Sequence, residues 1–363
     1  MKLLVISDYR DTWNAVRPEA EMLIALQQLG VAVTIMTAPD ADYVARFKAC
    51  GLAVIPFHPA KKVSLSAIRR VRQTLQEGAF DAVYSFNNKA IACANWAAMG
   101  LPVKVLTYRG QTGNISRLDP SVYLTHLHPR VDRIICVAKA TRDDLQRHVW
   151  GPKEKVVAVY KGHDLAWYDE TPADLQAFGI PADAFVVGCV ANARPRKGLP
   201  VLLAATHLLP ANNNIHLLLV GGGMDTAEVR KLIAASPMAE RIHLTGFRRD
   251  ATALIAACQA SVLPSIKREG LPKTVIESMA YGVAPIVSDT GGSAELIEDG
   301  ISGIKVAPGD APAIADGIQR LWRDAQFCRN MGQAARARIA SHFTVQQSAE
   351  ELKAVLEETV NGG

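Results

Sequence analysis

Short apolar runs alternate with helical patterns along the whole chain. In the first half, apolar runs predict strands at residues 3–7, 32–37, 53–56, 82–85, 103–108, 134–137 and 156–160. A second series predicts strands at residues 186–191, 216–220, 242–245, 260–263, 284–288 and 303–306. Helical patterns lie between the strands, and the one at residues 18–29 is followed by Gly30, a residue type that commonly ends helices. This alternation predicts α/β architecture, with parallel sheets that carry helices on both faces.

Length and composition favour two soluble domains. The chain has 363 residues, enough for two hydrophobic cores, and contains 49% hydrophobic and 21% charged residues. Residues 161–183 are punctuated by Gly, Pro and Asp and form the expected linker. The opening MKLLVISDY predicts a strand rather than a secretory signal, and no apolar run approaches the roughly 20 residues that cross a bilayer. We therefore expect a cytoplasmic protein.

Two glutamates eight residues apart, Glu269 and Glu277, bracket a glycine-proline turn in KREGLPKTVIESMAYG. Pro272 suits the first helical position, which predicts a helix that runs to Met279 and begins with free N–H groups. Such a helix start favours bound anions. One carboxylate before the helix and one inside it could accept hydrogen bonds from ligand hydroxyls while the helix end holds a phosphate. This combination fits a sugar nucleotide.

The segment from residue 244 to residue 310 that contains these glutamates resembles the retaining glycosyltransferases of family four. The resemblance covers both halves of the chain and is almost continuous in the second. It implies the GT-B fold, with two Rossmann-like domains that face each other across a cleft. Residues 1–163 and 345–363 would form the acceptor-side domain, to which the last helix returns, and residues 164–344 would form the donor-binding domain.

The family assigns roles to the acidic segment. The second glutamate of its E-x7-E pattern binds the ribose hydroxyls of the donor, which implies this role for Glu277. The first glutamate contacts the transferred sugar, which implies this role for Glu269. Backbone N–H groups between the two glutamates are implied to hold the sugar and the phosphate, and they belong to Gly270, Leu271, Lys273 and Thr274.

A second phosphate site is expected in VANARPRKG, residues 190–198, directly after the first strand of the second half. Arg194 and Lys197 match the basic residues of a variant family pattern, N-x-R-x-x-K-G. Fixed cations there would stabilise the charge that develops on the departing diphosphate. Arg196 is an additional cation whose role the sequence leaves open. Arg248, in the GFR sequence at residues 246–248, lies where the family commonly holds the nucleotide base.

Arg109, in TYRGQTG, occupies the position where many relatives carry a histidine close to the reacting sugar. Arginine stays protonated and is no general base, but it can bind a phosphate or a sugar hydroxyl. This is compatible with a front-face route, in which the departing phosphate oxygen helps to take the acceptor proton. On the acceptor side, Trp13, Asn14 and Arg17 are candidates, with an ordinary loop as the alternative.

Charge is divided unequally between the halves. Residues 1–165 contain 22 Lys+Arg against 14 Asp+Glu, or +8, and the remainder contains 18 against 21, or −3. The basic half is therefore expected to meet an anionic acceptor or membrane surface. Within residues 61–76, an apolar stripe could accompany five basic residues: Val63, Ile68, Val71 and Leu75 beside Lys61, Lys62, Arg69, Arg70 and Arg72. A surface helix that packs this stripe on the sheet is the alternative, and both can hold. Nucleic-acid binding is not expected.

The predicted function is that of a retaining glycosyltransferase that moves a sugar from a nucleoside-diphosphate sugar to a glycan or glycolipid precursor. Bacterial envelope polysaccharide or lipopolysaccharide biosynthesis is the expected setting, with possible attachment to the inner face of the cytoplasmic membrane. Asp40-Ala41-Asp42 spells a D-x-D motif, but we interpret it as a solvated turn. No metal and no cofactor are expected, because arginine, lysine and a helix end would replace the metal charge. The alternatives are a nucleotide-sugar 2-epimerase and a non-catalytic sugar-nucleotide-binding protein.

Overall fold

The structure is a computed structural model that describes residues 1–10 and 16–362. The chain divides into two compact units, each built on its own parallel sheet. The first unit contains Met1–His163 and Phe343–Gly363, and the second contains Asp164–His342.

The first unit has a seven-stranded sheet in the order β3-β2-β1-β4-β5-β6-β7. Its strands are β1 (Lys2–Ile6), β2 (Ala32–Thr37), β3 (Ala53–Pro56), β4 (Ala82–Ser85), β5 (Lys104–Arg109), β6 (Arg133–Cys136) and β7 (Val156–Ala158). Its helices are α1 (Arg17–Gln28), α2 (Val44–Ala49), α3 (Leu65–Gly78), α4 (Asn88–Ala97), α5 (Lys139–Gln146) and, from the end of the chain, α13 (Val345–Asn361).

The central strand β1 shows why this sheet is covered on both faces. Its residues Leu3, Leu4, Val5 and Ile6 are fully buried. Leu3 and Val5 belong to one hydrophobic cluster with α1 and α13, whereas Leu4 and Ile6 belong to another with α3 and α4. A continuous apolar strand is typical of parallel sheets that lie between two helical layers. Because the strand order reverses beside β1, the carboxyl ends of β1 and β4 form the edge at which such sheets bind ligands.

The second unit has a six-stranded parallel sheet in the order β10-β9-β8-β11-β12-β13. Its strands are β8 (Phe185–Val190), β9 (Ile215–Val220), β10 (Ile242–Gly246), β11 (Ala260–Leu263), β12 (Ala284–Ser288) and β13 (Ile304–Val306). Its helices are α6 (Leu199–Ala205), α7 (Ala227–Ala235), α8 (Ala251–Ala256), α9 (Lys273–Ala280), α10 (Ser293–Leu296), α11 (Ala311–Arg323) and α12 (Ala325–His342).

The predicted fold class is confirmed, since two Rossmann-like units with parallel sheets are present. All thirteen predicted strands occur, and most of their bounds agree to within one residue. The strand predicted at residues 156–160 ends earlier, at Ala158, and the helix predicted at residues 18–29 is Arg17–Gln28.

The last helix, α13, packs in the first unit. Thr344 and Gln347 form a capping box at its start, with the Gln347 N–H donating to the Thr344 hydroxyl at 3.1 Å. Its apolar residues Ala349, Leu352 and Leu356 are fully buried in the cluster that contains α1.

The apolar stripe predicted in residues 61–76 is mostly part of the core. Ile68, Val71 and Leu75 of α3 pack against the hydrophobic cluster shared with α4, because the helix lies on the sheet. Arg72 donates hydrogen bonds to the carbonyls of Ala97 and Met99 and so belongs to this packing. Ile68, Val71 and Leu75 therefore follow the alternative prediction, in which a surface helix packs its apolar stripe on the sheet. The described residues include no helix that is both long and apolar enough to cross a bilayer.

Two apolar residues at the start of this segment remain outside the core. Val63 is 56% exposed and Leu65 is 69% exposed, and Arg69 and Arg70 are exposed on the same helix. An exposed surface of apolar and basic residues thus remains near the start of α3, although it is smaller than the predicted stripe.

Candidate functional site

The basic loop follows β8 in the second unit. A short 3₁₀ turn, Pro195–Lys197, ends at Gly198, whose φ is +70°. A Cβ at this position would lie 1.9 Å from the carbonyl oxygen of Pro264, directly after β11. Glycine is therefore required here both for its backbone conformation and for the close approach of the two loops.

Lys197 and Glu269 meet because of this approach, although they are 72 residues apart. The Lys197 Nζ donates to the Glu269 Oε1 at 2.7 Å, and the Ser265 hydroxyl donates to the same oxygen at 2.6 Å. Glu269 is only 4% exposed. Charge-assisted hydrogen bonds of this kind hold both partners in a defined geometry. The structure therefore brings the predicted cation and the first predicted glutamate into direct contact.

Arg196 also links the basic loop to the loop that follows β11. Its guanidinium donates to the carbonyl of Arg268, and its own carbonyl accepts from the Ile266 N–H at 2.8 Å. Arg268 has a φ of +63°, a left-handed conformation that costs a non-glycine residue about 1–2 kcal/mol. Arg196 thus stabilises the turn that places Glu269, which answers the question that the sequence left open.

Arg194 differs from its neighbours. It is exposed, and no hydrogen bond or ion pair occupies its guanidinium among the residues that the structure describes. Its backbone carbonyl accepts from the Lys197 N–H at 2.8 Å, so the loop conformation is fixed while the side chain stays available. Arg194 can therefore contact a bound anion without breaking an existing pair.

The helix α9 begins one residue later than predicted. Pro272 has an extended ψ of 112° and precedes the helix, and Lys273 is its first residue. The N–H groups of Lys273 and Thr274 lie in the first turn, where no intrahelical acceptor is available. Gly270 is buried and Leu271 is half-buried before the turn. The open N–H groups therefore lie just after Glu269, where the sequence predicted a phosphate.

Glu277 lies inside α9 and is 7% exposed. Its Oε1 pairs with the Lys273 amine one turn earlier, and Oε2 receives no hydrogen bond from any described residue. Burial raises the pKa of the Glu277 carboxyl, and the Lys273 charge opposes this shift. One oxygen thus remains able to accept hydrogen bonds from a ligand hydroxyl.

The glycine pair after β12 closes one side of this cluster. Gly291 has a φ of +54°, and a Cβ there would lie 2.1 Å from the carbonyl oxygen of Glu269. The neighbouring hydroxyls of Thr290 and Ser293 are buried and have no hydrogen-bond partner within the described ranges. The acidic segment is therefore flanked by backbone and hydroxyl groups as well as by Lys197.

Arg248 is not part of the contacts around Glu269. Its guanidinium donates to both carboxylate oxygens of Asp250, at 2.8 and 2.6 Å, and lies 5.6 Å from the centre of the Phe178 ring. The adjoining Gly246 carbonyl accepts from the Gly221 N–H at 2.9 Å, next to the basic loop. Arg248 thus lies in the predicted base-binding loop, but its guanidinium is already paired with the Asp250 carboxylate.

Arg109 lies in the first unit at the end of β5. It lines a cavity of about 350 Å³, together with side chains that include Phe86, Asn88, Tyr108, Gln111 and His126. Its guanidinium donates to the carbonyl of Gly113, and burial lowers the pKa of Arg109.

Of the three residues predicted for the acceptor side, the structure describes Arg17. Arg17 is exposed at the start of α1, where its charge acts on Glu21. Trp13 and Asn14 lie outside the described residues. The structure therefore places Arg109, but not Arg17, in the wall of the cavity.

His126 is a polar cavity residue that the sequence analysis did not select. It is 2% exposed, and its Nδ1 lies 3.1 Å from the hydroxyl of Thr107, which precedes Arg109 by two positions on the same face of β5. Burial and the nearby Arg109 charge lower the pKa of His126 to about 3, so the ring is neutral at pH 7. The surrounding THLHP has no spacing that marks a site, and only the fold brings this residue to Arg109.

Ser265 was also missed. A hydroxyl shortly after the buried strand β11 was the only signal available in the sequence.

Within the described part of the chain, no group of three or more His, Cys, Asp or Glu side chains is arranged to hold a metal ion.

Two family models match the chain, one in each half. Residues 170–338 match glycosyl transferases group 1, and residues 20–167 match glycosyltransferase family 4. Both models describe glycosyltransferases, and together they match most of the chain. The basic loop and the acidic segment lie within the first match, and the cavity around Arg109 lies within the second.

Curated relatives are similar over different shares of their length. The α-D-kanosaminyltransferase of Streptomyces kanamyceticus is 26% identical over 64% of this chain and 62% of its own. The lipopolysaccharide core biosynthesis glycosyltransferase LpsE of Rhizobium meliloti is 24% identical over 63% and 65%. The phosphatidyl-myo-inositol mannosyltransferase of Mycobacterium leprae is 27% identical over 92% and 89%. The chain thus spans less than two thirds of the first two relatives and most of the third.

Solved structures share the fold over the whole chain. A glycosyltransferase from Rickettsia africae superposes with a TM-score of 0.83 at 19% identity, covering 100% of this chain and 99% of the other. Anabaena HepE, in complex with UDP, superposes with a TM-score of 0.80 at 21% identity, covering 99% and 100%. At these identities the likeness establishes only the fold of this chain.

Proposed function

We propose that the protein is a retaining glycosyltransferase that moves a sugar from a nucleoside diphosphate to a glycan or glycolipid of the bacterial envelope. The observation that carries this proposal is the contact of Lys197 and Ser265 with the buried Glu269, next to the open N–H end of α9. HepE, which has a similar fold, binds UDP and UDP-glucose, and this supports a nucleotide-sugar donor. Relatives named for lipopolysaccharide core and colanic acid biosynthesis support the envelope setting.

The second unit would hold the donor. Glu277 Oε2 would accept a hydrogen bond from a ribose hydroxyl, and the α9 N–H groups would bind the diphosphate. Arg194, with its unoccupied guanidinium, would approach the phosphates from the basic loop. Glu269, held by two hydrogen bonds, would orient a hydroxyl of the transferred sugar. These roles need a cationic phosphate site but no metal ion, so we propose metal-independent transfer.

The chemical step is a substitution at the anomeric carbon. The bond from this carbon to the departing phosphate oxygen breaks, and a bond to the acceptor oxygen forms on the same face. The proton of the acceptor hydroxyl passes to the departing phosphate oxygen, so no protein base is required. Lys197 and Arg194 would stabilise the charge that develops on the phosphate, which lowers the barrier more than it tightens substrate binding.

A panel of labelled nucleotide sugars tests this function. We expect one donor to raise the melting temperature, because a ligand that binds the folded state stabilises it, and to support transfer or slow hydrolysis with retained anomeric configuration. Formation of an epimer would instead indicate a 2-epimerase. Binding without turnover, even with a panel of glycan acceptors, would indicate a sugar-nucleotide-binding protein.

Replacing Glu277 by alanine should weaken nucleotide binding at least about tenfold, because a charge-assisted hydrogen bond contributes about 1.5–3 kcal/mol. Calorimetric titration with the donor nucleotide checks this value. Glu240→Ala, which removes an exposed glutamate elsewhere in the second unit, is the control and should bind normally. Unchanged affinity in folded Glu277→Ala would contradict the proposed ribose contact.

We further propose that the first unit attaches reversibly to anionic membranes near the start of α3. Val63 and Leu65 are exposed there beside Lys61, Arg69 and Arg70. Surface attraction contributes about 1 kcal/mol per basic residue and weakens with salt, so several contacts are enough for weak binding.

Arg69→Glu/Arg70→Glu should therefore lower sedimentation with phosphatidylserine-containing vesicles at low salt. Arg72 is left intact because it bonds backbone carbonyls. Lys231→Glu/Lys305→Glu, with the same charge change on exposed residues of the second unit, is the control and should sediment like the wild type. Equal sedimentation of all three proteins, or of none, would favour an acceptor that is free in solution.

A further inference from the structure

The cavity around Arg109 lies at the carboxyl ends of two neighbouring strands in the first unit. Phe86 directly follows β4, Asn88 is the first residue of α4, and Arg109 is the last residue of β5. We call it the β4–β5 cavity. Its volume of about 350 Å³ is at the lower end of the about 300–1,000 Å³ that is common for small-molecule sites. It therefore suits a single small unit, such as one sugar residue, rather than a whole nucleotide sugar.

The wall of the β4–β5 cavity is positively charged. Its lining residues include one permanent cation, Arg109, and no carboxylate among the described residues. The Arg109 guanidinium has five N–H donors and donates to the Gly113 carbonyl, so other N–H groups are left for a ligand. A guanidinium binds carboxylate and phosphate groups best, because two of its N–H groups can donate to two oxygens at once.

The start of α4 adds to this positive character. The Asn87 side chain accepts from the Ala90 N–H at 3.0 Å, which leaves the N–H groups of Asn88 and Lys89 without an intrahelical acceptor. The helix has ten residues, and its N-terminal end carries partial positive charge. Asn88 itself lines the cavity, so this partially positive helix end lies at the cavity wall.

His126 supplies a polar atom of a different kind. It is almost completely buried, yet its ring lines the cavity, and Nδ1 is engaged by Thr107. Its Nε2 has no hydrogen-bond partner within the described residues. This nitrogen is therefore available for a hydrogen bond with a ligand hydroxyl. Because the ring is neutral at pH 7, it would bind a hydroxyl rather than an anion.

Aromatic and amide groups complete the wall. The Phe86 and Tyr108 rings lie side by side, with centroids 5.0 Å apart and planes inclined by 30°. Gln111 and Asn88 add amide groups that both donate and accept hydrogen bonds. Apolar surface with a few placed polar groups is typical of sites that recognise small polar ligands.

We infer that the β4–β5 cavity binds one acidic sugar residue, a uronic acid or a sugar phosphate. Arg109 and the N-terminus of α4 hold the anionic group, and His126 with the amides holds the hydroxyls. This inference rests on the proposed sugar transfer and names its substrate class. The acidic sugar is either the accepting residue or the residue carried by the donor, and the two sources share the same chemistry.

The first test is direct binding, which needs no turnover. Full-length protein is titrated with glucuronate, glucose 6-phosphate and glucose at constant ionic strength, followed by ligand-observed NMR. We expect at least one of the two acids to bind about tenfold more tightly than glucose, because only the acids use the guanidinium and the helix end. Equal affinities for all three compounds would overturn the inference.

Two substitutions locate the binding. Asn88→Asp is nearly isosteric and places a carboxylate in the first turn of α4, where it favours the helix but repels an anion in the cavity. We expect acid affinity to fall about tenfold in Asn88→Asp and in Arg109→Gln, with glucose binding within about twofold of wild type. Lys48→Gln, which removes one exposed charge from α2, is the control and should retain the preference. An acid preference that survives both cavity substitutions would place the binding elsewhere and overturn the inference.

His126→Gln separates hydroxyl binding from anion binding. We expect acidic and neutral sugars to weaken by a similar factor in this variant, because both use Nε2, so the ratio of their affinities is kept. A folded His126→Gln protein that binds every sugar as the wild type does would contradict the role of this histidine.

The last experiment distinguishes an acidic acceptor from an acidic donor sugar. It also separates the failure of this inference from the failure of the proposed transferase function. The nucleotide identified in the donor panel is offered with glucuronic acid and with glucose attached, to the wild type and to Asn88→Asp. A preference for the acidic donor that Asn88→Asp abolishes assigns the cavity to the transferred sugar. No such preference, together with binding of the free acid, assigns it to the acceptor. If a donor is turned over but no acidic sugar is preferred in either arm, the transferase proposal stands and this inference fails.

Discussion

Replacing Lys197 by methionine should lower the turnover number by about two to three orders of magnitude at saturating donor, the range found when one fixed donor to developing charge is removed. Lys197 lies 2.7 Å from Glu269 in the free protein. Its proposed work is on the phosphate charge that appears as the sugar bond breaks, so its loss should affect turnover more than binding. Steady-state kinetics with the identified donor, combined with calorimetry of the nucleotide, measures both quantities.

The folding of Lys197→Met needs a control, because Glu269 is buried and would lose the hydrogen bond from Lys197. Ser265→Ala removes the hydrogen bond from the Ser265 hydroxyl and keeps the cation. If Lys197 acts on the phosphate, Ser265→Ala should retain far more activity than Lys197→Met even where the two lower the melting temperature equally. Lys231→Met, on the exposed face of α7, should behave like the wild type. Turnover by Lys197→Met within about threefold of wild type would contradict the proposal that Lys197 stabilises the charge on the departing phosphate.

Replacing Glu19 by alanine should lower the free energy of unfolding by about 3–5 kcal/mol, the cost of breaking a buried ion pair by removing one partner. Glu19, in the first turn of α1, accepts from the Lys161 amine at 2.9 Å and from the Ser7 hydroxyl at 2.7 Å. Burial alone would lower the pKa of Lys161, but Glu19 and Tyr108 raise it above the usual value for lysine. The amine is therefore charged at pH 7, and Glu19→Ala leaves that charge buried without its carboxylate.

Thermal and urea unfolding of the full chain measure this loss. Glu21→Ala on the same helix removes a carboxylate that is bound by the largely exposed Arg46 and by the Tyr43 hydroxyl, and it should cost less than Glu19→Ala because no buried charge loses its partner. The double variant Glu19→Gln/Lys161→Met removes both charges and should recover most of the loss. A loss below about 1 kcal/mol in Glu19→Ala would show that the buried pair is not a major source of stability.

The order of strands and helices could be predicted from local pattern. Each strand of the two sheets is a short apolar run, and such a run has the same meaning wherever it stands in the chain. The final helix was also predictable, from the Thr344 and Gln347 pair that caps it. The predicted start of α9 was one residue too early, because proline is compatible with both the first helical position and the position before it.

The candidate donor site was only partly predictable. Glu269, Glu277 and the basic loop could be found because each lies in a continuous motif. Ser265 could not, since nothing in its neighbours marks it. The role of Arg196 required the left-handed turn at Arg268, which no residue type at that position announces.

The sequence by itself determined the two-unit α/β architecture, the acidic and basic segments of the second half and the basic character of the first half. These properties follow from composition and from periodicity over a few residues. Only the tertiary structure decided which segments meet. Glycine at 198 and 291 lets backbones approach to distances that a Cβ would forbid, which joins Lys197 to Glu269. The loop that contains His126 packs against β5 and brings this residue beside Arg109, and the packing of α3 on the sheet buries most of its apolar stripe. Contacts between residues far apart in the chain depend on packing, and local pattern does not record packing.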